Sequence, residues 1–121
     1  MKTISEHLLP YRAFLADAQQ KLTEDIRTLE AQNRQDEANM AKIRLNIFSV
    51  FETVASADEK QSADWADFCR RYEPRFDTLT APWQARLGAA VRHSDTHTRF
   101  VEEIKLSTAQ QISSAFQAAK E

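Results

Sequence analysis

Leu8, Leu15, Leu22 and Leu29 recur every seven residues, and Ile43 and Val50 continue the same count after Asp36. Seven residues bring an α-helix back to nearly the same face, so the stretch from Leu8 to Val54 reads as helix with one apolar seam. The partners of this row change along it. They fall three residues later at Tyr11 and Ala18 but four later at Ile26, Met40, Ile47 and Val54, a sideways shift near Leu22 of the kind a stutter produces. Between Leu29 and Met40 the seam positions hold Asn33 and Asp36, yet no Gly or Pro marks a turn. Either the helix breaks there or it passes through a solvated waist, and the lack of Gly and Pro favours one helix continuous through Gln32 to Glu37.

Such a helix from Pro10 to Ala57 is ~70 Å long at 1.5 Å per residue, against a diameter of ~35 Å for a compact chain of this length. A rod, or a rod paired with another copy, is the consequence. The 121 residues contain a single glycine, Gly88, and three prolines, which leaves little turn chemistry for hairpins of strands. Ala, Gln, Glu, Lys, Arg and Leu supply strong helix formers throughout. The expected fold is all-α in one domain spanning residues 1–121: an elongated antiparallel helical hairpin, or a three- to four-helix bundle, with two long helices and a short kinked helix between them.

Thr3 and Glu6 have the spacing of a capping box, and Pro10 places a start or kink of the main helix near Leu9. Ser56 to Ser62 is polar and aperiodic and reads as the linker, with Ser62 or Asp58 capping the next helix. Trp65, Phe68, Cys69, Tyr72, Phe76, Leu79 and Trp83 then form a stripe at helical spacing, interrupted just after Tyr72 by Pro74. Thr80 before Ala81 and Pro82 resembles a cap with a first-turn proline, so a last helix is expected from about Ala81 to Ala119, with Ser94 to Thr98 able to bend it. Seven of the eleven aromatic residues lie between Phe48 and Trp83, which assigns the compact core to that end. The other end, where Leu8 to Leu29 would face Ile104, Ile112 and Phe116, has no third helix to cover it. Leu8, Leu15, Leu22, Ile104, Ile112 and Phe116 are accordingly read as an association surface, and the chain as a homodimer.

The formal charge of −2, with acids and bases interspersed, offers no field for nucleic acid or an anionic membrane. Cys69 is alone, so neither an internal disulfide nor a multi-thiolate metal site can form, and a reducing cytoplasm fits. Neither a signal-like segment nor an apolar run of membrane-spanning length occurs.

Chemistry has few footholds. His93 and His97 stand four apart, the helical spacing of two ligands to zinc or another transition metal, and Asn33, Asp36 and Asn39 could face them across the rod. Asp58/Glu59 and Glu102/Glu103 lack the Glu-x-x-His pattern of di-iron bundles and read as solvated faces. Cys69 beside Arg70 and Arg71 could hold a lowered thiol pKa, although its stripe position favours burial. One glycine cannot build a nucleophile elbow or a phosphate loop, and the leucine row lacks the basic region of a zipper transcription factor. No cofactor is implied. The leading functional expectation is a non-enzymatic helical interaction protein, an adaptor, chaperone-like or regulatory subunit acting through amphipathic faces. A small-ligand or metal-binding bundle with a polar waist around His93 and His97 is the alternative.

Overall fold

The computed structural model describes residues 1–121 as five helices and no strands: α1 (Ile4–Ala31), α2 (Gln35–Gln61), α3 (Trp65–Tyr72), α4 (Arg75–Arg92) and α5 (Thr96–Lys120). α3 and α4 are joined through Glu73 and Pro74, both in right-handed helical conformation, and together act as one bent helix. The chain is thus an all-α bundle that runs up, down, up and down. The first start is the one the sequence indicates: the Thr3 hydroxyl accepts from the Glu6 N–H, and the Glu6 carboxylate accepts in return from the Thr3 N–H. Pro10 lies inside α1 without ending it. The amide it lacks would have reached back to Glu6, close to the helix start, where few bonds are at stake.

The long helix expected through Gln32 to Glu37 is broken. Asn33 takes a left-handed φ of 58°, the Arg34 N–H reaches the Leu29 carbonyl at 2.9 Å, and the Asn33 N–H reaches that of Glu30 at 3.1 Å. These two bonds are a Schellman closure, which caps the last free carbonyls of α1. The same closure recurs after α4: Ser94 has φ 54°, Asp95 N–H meets the Ala90 carbonyl at 2.9 Å, and Ser94 N–H meets that of Val91 at 3.4 Å. Neither turn uses glycine, which is why composition conceals both. Each break halves a rod. α1, at 28 residues, spans ~42 Å by the helical rise, and α2 folds back along it.

Other boundaries move for equally local reasons. Ser56 to Gln61 belongs to α2 rather than to a linker, because its side chains have partners: Ser56 and Glu59 meet Arg12, and Asp58 is buried against Arg75. α3 is capped by Asp64, whose carboxylate accepts from the Asp67 N–H at 2.8 Å, instead of by Ser62 or Asp58. Thr80 is not a cap either. It sits in mid-helix with its hydroxyl donating to the Phe76 carbonyl at 2.6 Å, so α4 starts at Arg75 and carries Pro82 within it.

The core lies at the end where α3 crosses the bundle. Leu8, Tyr11 and Leu15 from α1, Ile47, Phe48, Phe51 and Ala55 from α2, Phe68 and Tyr72 from α3, and Ala109, Ile112 and Phe116 from α5 form one buried cluster. Phe116 is its hub, edge-on to Tyr11 and Tyr72 at 5.1 Å each, a geometry in which ring edges meet ring faces favourably. The only polar side-chain atoms in this buried cluster are two phenols. Tyr72 Oη donates to the Phe51 carbonyl at 3.2 Å, which has no proton to return, so Tyr11 Oη donates in turn to Tyr72 Oη at 2.5 Å. Burial pushes both phenols well above the usual tyrosine range. α1, α2 and α5 pack mutually, whereas the backbone of α4 comes close only to α5 and α3, and its first turn reaches α2 through the Arg75 and Phe76 side chains.

Two outcomes are expected from this arrangement. Ser94→Gly removes a left-handed strain of about 1–2 kcal/mol but adds unfolded-state entropy of about 0.5–1 kcal/mol. The net gain is roughly 0.5–1 kcal/mol, visible in thermal or urea unfolding; a loss of stability would mean that Ser94 is not strained. The second concerns the phenols, which are the chain's only tyrosines. A raised folded pKa favours the neutral form, so their contribution to stability is complete below the unfolded value of about 10 and is lost as pH climbs above it. Phenolate absorbance should therefore appear together with loss of helical circular dichroism. Titration centred near pH 10 in an intact helical protein would contradict the buried pair.

Candidate functional site

The two left-handed turns lie at the same end of the bundle, and each is followed by a helix that starts there. α2 and α5 therefore run parallel and in contact from neighbouring N-termini. Their first two turns carry matching stripes at i, i+3, i+4 and i+7, which is one helical face. On α2 the stripe is Asp36, Asn39, Met40 and Ile43; on α5 it is His97, Phe100, Val101 and Ile104. Between them is a groove of about 420 Å³. Ile104, 6% exposed, is the most buried of its lining residues, Met40, Ile43 and Val101 are half-buried, and Phe100 stands on the lip with 53% of its surface in water.

The groove is open because the backbone of α4 stays away from that of α2, which α4 meets from its first turn, at the opposite end, through the Arg75 and Phe76 side chains. It also continues sideways. Met40 is shared with a second hollow between α1 and α2, where Leu22, Leu29 and Ala41 sit among Asp25, Arg34, Glu37 and Arg44. Phe100 and Ile104 are shared with a third beside Leu87 of α4. A larger hollow of about 560 Å³ lies between α2 and Arg75, but its lining is almost wholly polar and includes the Asp58–Arg75 ion pair. The α2/α5 groove, by contrast, is lined mostly by apolar side chains.

The structure redistributes the residues singled out from the sequence. Leu8, Leu15, Ile112 and Phe116 are fully buried in the chain's own core and Ile104 nearly so. They are covered because α2, folded back at Asn33, supplies the third helix that a two-helix hairpin lacks. Of that set only Leu22 remains half-buried, in the α1/α2 hollow. His93 and His97 do not share a helix face. His93 is the C-cap of α4, His97 lies in the first turn of α5, and the left-handed Ser94 stands between them. Asp95 is engaged elsewhere, accepting from the Thr98 N–H at 3.1 Å and from its hydroxyl at 2.7 Å, and these bonds hold its carboxyl below the usual range. No three His, Cys, Asp or Glu side chains gather around a common point. What does meet is the pair of polar interruptions: Asp36, Asn39 and His97 line one groove.

Cys69 is half-buried, and burial, reinforced by the charge of Glu73, pushes its thiol up rather than down. Arg70 and Arg71, the cations beside it in sequence, both turn to Asp67. Of the paired acids, Glu59 and Glu103 keep partly exposed carboxylates and pair with Arg12 and Arg99, but Asp58 and Glu102 are 3% exposed. Asp58 takes a two-pronged contact from Arg75 at 3.0 and 3.2 Å. Glu102 receives Arg86 at 3.3 Å and Lys105 at 3.2 Å on one oxygen, while the other is buried without a partner. Its contact with Arg86 fastens α4 to α5. Sequence patterning misses both burials because an acid beside an acid looks like a solvated face; the one available signal is an Arg placed on a neighbouring helix.

No helix is long and apolar enough to cross a membrane. Compared with protein-family models, curated proteins and solved structures, the chain matches none of them.

Proposed function

We propose that the chain is a non-enzymatic helical interaction module, an adaptor, regulatory or chaperone-like subunit, whose working surface is the groove between the first turns of α2 and α5. The observation that carries this reading is Phe100, half in water on the lip of an apolar groove it does not fill. Apolar area of this kind is worth roughly 25 cal/mol per Å² once covered. An aromatic ring beside a hollow is a common anchor at interfaces. Two parallel helices with a furrow between them suit an amphipathic helix laid along the furrow, contributing residues at i, i+3 or i+4, and i+7. The buried leucines, isoleucines and Phe116 support this surface from behind, since the core they form holds the two helices at a fixed separation.

The metal-binding alternative requires His93 and His97 to project from one helical face. With Ser94 turning the chain between them, that alternative gains no support.

The test compares wild type with Phe100→Asp, both tagged and expressed in the native cells. The variant should keep the wild-type circular dichroism spectrum, because the ring is half exposed. A chain co-purifying with wild type should be lost from the variant, with affinity falling at least about thirtyfold, as for an interfacial anchor. Equal recovery by both proteins, or recovery by neither, would overturn the assignment of the groove.

A further inference from the structure

We propose that the second half of α4, Trp83 to Arg92, is a lid on α5 that opens and closes as a unit while the rest of the bundle stays folded. Departures from good helix chemistry gather in and beside this segment. Pro82 has no N–H to offer the Thr78 carbonyl four residues back. Just before it, the Thr80 hydroxyl donates to the Phe76 and Asp77 carbonyls at 2.6 and 3.3 Å, a back-bond that loosens and bends helices. Gly88, the chain's only glycine, stands inside α4, where it weakens helix formation roughly fivefold against alanine. A Cβ added there would meet only Arg92 Nη1, at 3.5 Å. That is an ordinary contact, so packing does not require glycine at this position. At the far end of the segment the left-handed Ser94 closes the helix.

Little holds the segment down. Only Ala90 in it is buried; Trp83 and Leu87 are half-buried, and Val91 lies largely in water. One ion pair ties it to α5, from Arg86 to Glu102 at 3.3 Å. The Glu102 oxygen that receives Arg86 is shared with Lys105, and the other is buried with no partner. A carboxylate taken out of water and only half satisfied returns little net stability. Opening hydrates both of its oxygens and releases an Arg86 side chain that is already half exposed, so the tie yields readily. Thr80, by contrast, is buried, which puts the hinge between Thr80 and Trp83.

Closed, the segment sets Leu87 beside Phe100 and Ile104 in the hollow that adjoins the α2/α5 groove, and it covers Glu102 with Arg86. Open, it takes the Leu87 wall away from that hollow and gives Glu102 to solvent. The opening stands on packing alone; that it widens a docking groove rests on the function proposed above. A segment with few buried contacts opens at a lower free energy than the whole molecule.

The test is native-state hydrogen exchange, resolved by residue, on wild type and Ile47→Val. Ile47 belongs to the buried cluster, and trimming it raises exchange through global unfolding roughly two- to tenfold. In wild type the amides from Arg86 to Arg92, relative to their intrinsic rates, should exchange at least about tenfold faster than those of Phe48 to Phe51 and Ile112 to Phe116. In the variant the core amides should accelerate and the Arg86 to Arg92 amides should keep their wild-type rates, because the core is intact in the open state. Gly88→Ala should slow the Arg86 to Arg92 amides about fivefold. Amides in this segment as well protected as the core, or accelerating in step with it in Ile47→Val, would overturn the lid, as would a Gly88→Ala protein that exchanges there at the wild-type rate. Each of these failures leaves the groove untouched, since Phe100→Asp tests it separately.

Discussion

The hydrogen-bonded pair Tyr11–Tyr72, closed by the Phe51 carbonyl, sets the register of the whole bundle. It ties α1, α2 and α3 together at one point inside an aromatic cluster. A buried hydroxyl without a partner costs about 1–3 kcal/mol, so the three helices must meet in one register for the chain of donors to end on a carbonyl. Phe116 then packs edge-on against both rings and brings α5 into the same arrangement. Apolar packing alone tolerates several registers of similar density; the phenols select one. The relative height of α2 and α5 is a result of that selection, and with it the matching of their stripes in the groove some turns away.

Helix content, the Thr3–Glu6 box and the concentration of aromatics around one end are legible in the sequence, because each is set by neighbours within a turn or two. The helix ends at Asn33 and Ser94 are not. A left-handed residue after a helix is usually glycine, and here asparagine and serine take that role, so a stretch without glycine reads as continuous. That single misreading generates the others: one rod-length helix in place of two shorter ones, a leucine row left uncovered, and two histidines placed on a face they do not share. The buried carboxylates of Asp58 and Glu102 are illegible for another reason. Their partners Arg75 and Arg86 are 17 and 16 residues away, and only tertiary structure says that these distances close.

The candidate groove shows both limits together. Its polar members, Asp36, Asn39 and His97, are conspicuous as interruptions of helical patterning, and their mutual approach is readable by counting away from the turn. Its apolar members are not conspicuous, since Met40, Ile43, Val101 and Ile104 look like core. They become a surface because α4, the helix that would complete a symmetrical four-helix bundle, keeps to the far side of α5.

That placement of α4 also divides the molecule into parts of unequal persistence. Its first turn is anchored by Arg75 on Asp58 and by Phe76 stacked on Phe51, whereas its later turns have only α5 to lean on, through the Arg86–Glu102 contact and apolar side chains. Pro82 lies in between and removes one backbone bond. A segment supported on one side opens at a lower free energy than the whole. Unfolding is therefore expected to begin in the C-terminal half of α4, before α1, α2, α3 and the C-terminal half of α5, which close on one another around the aromatic cluster.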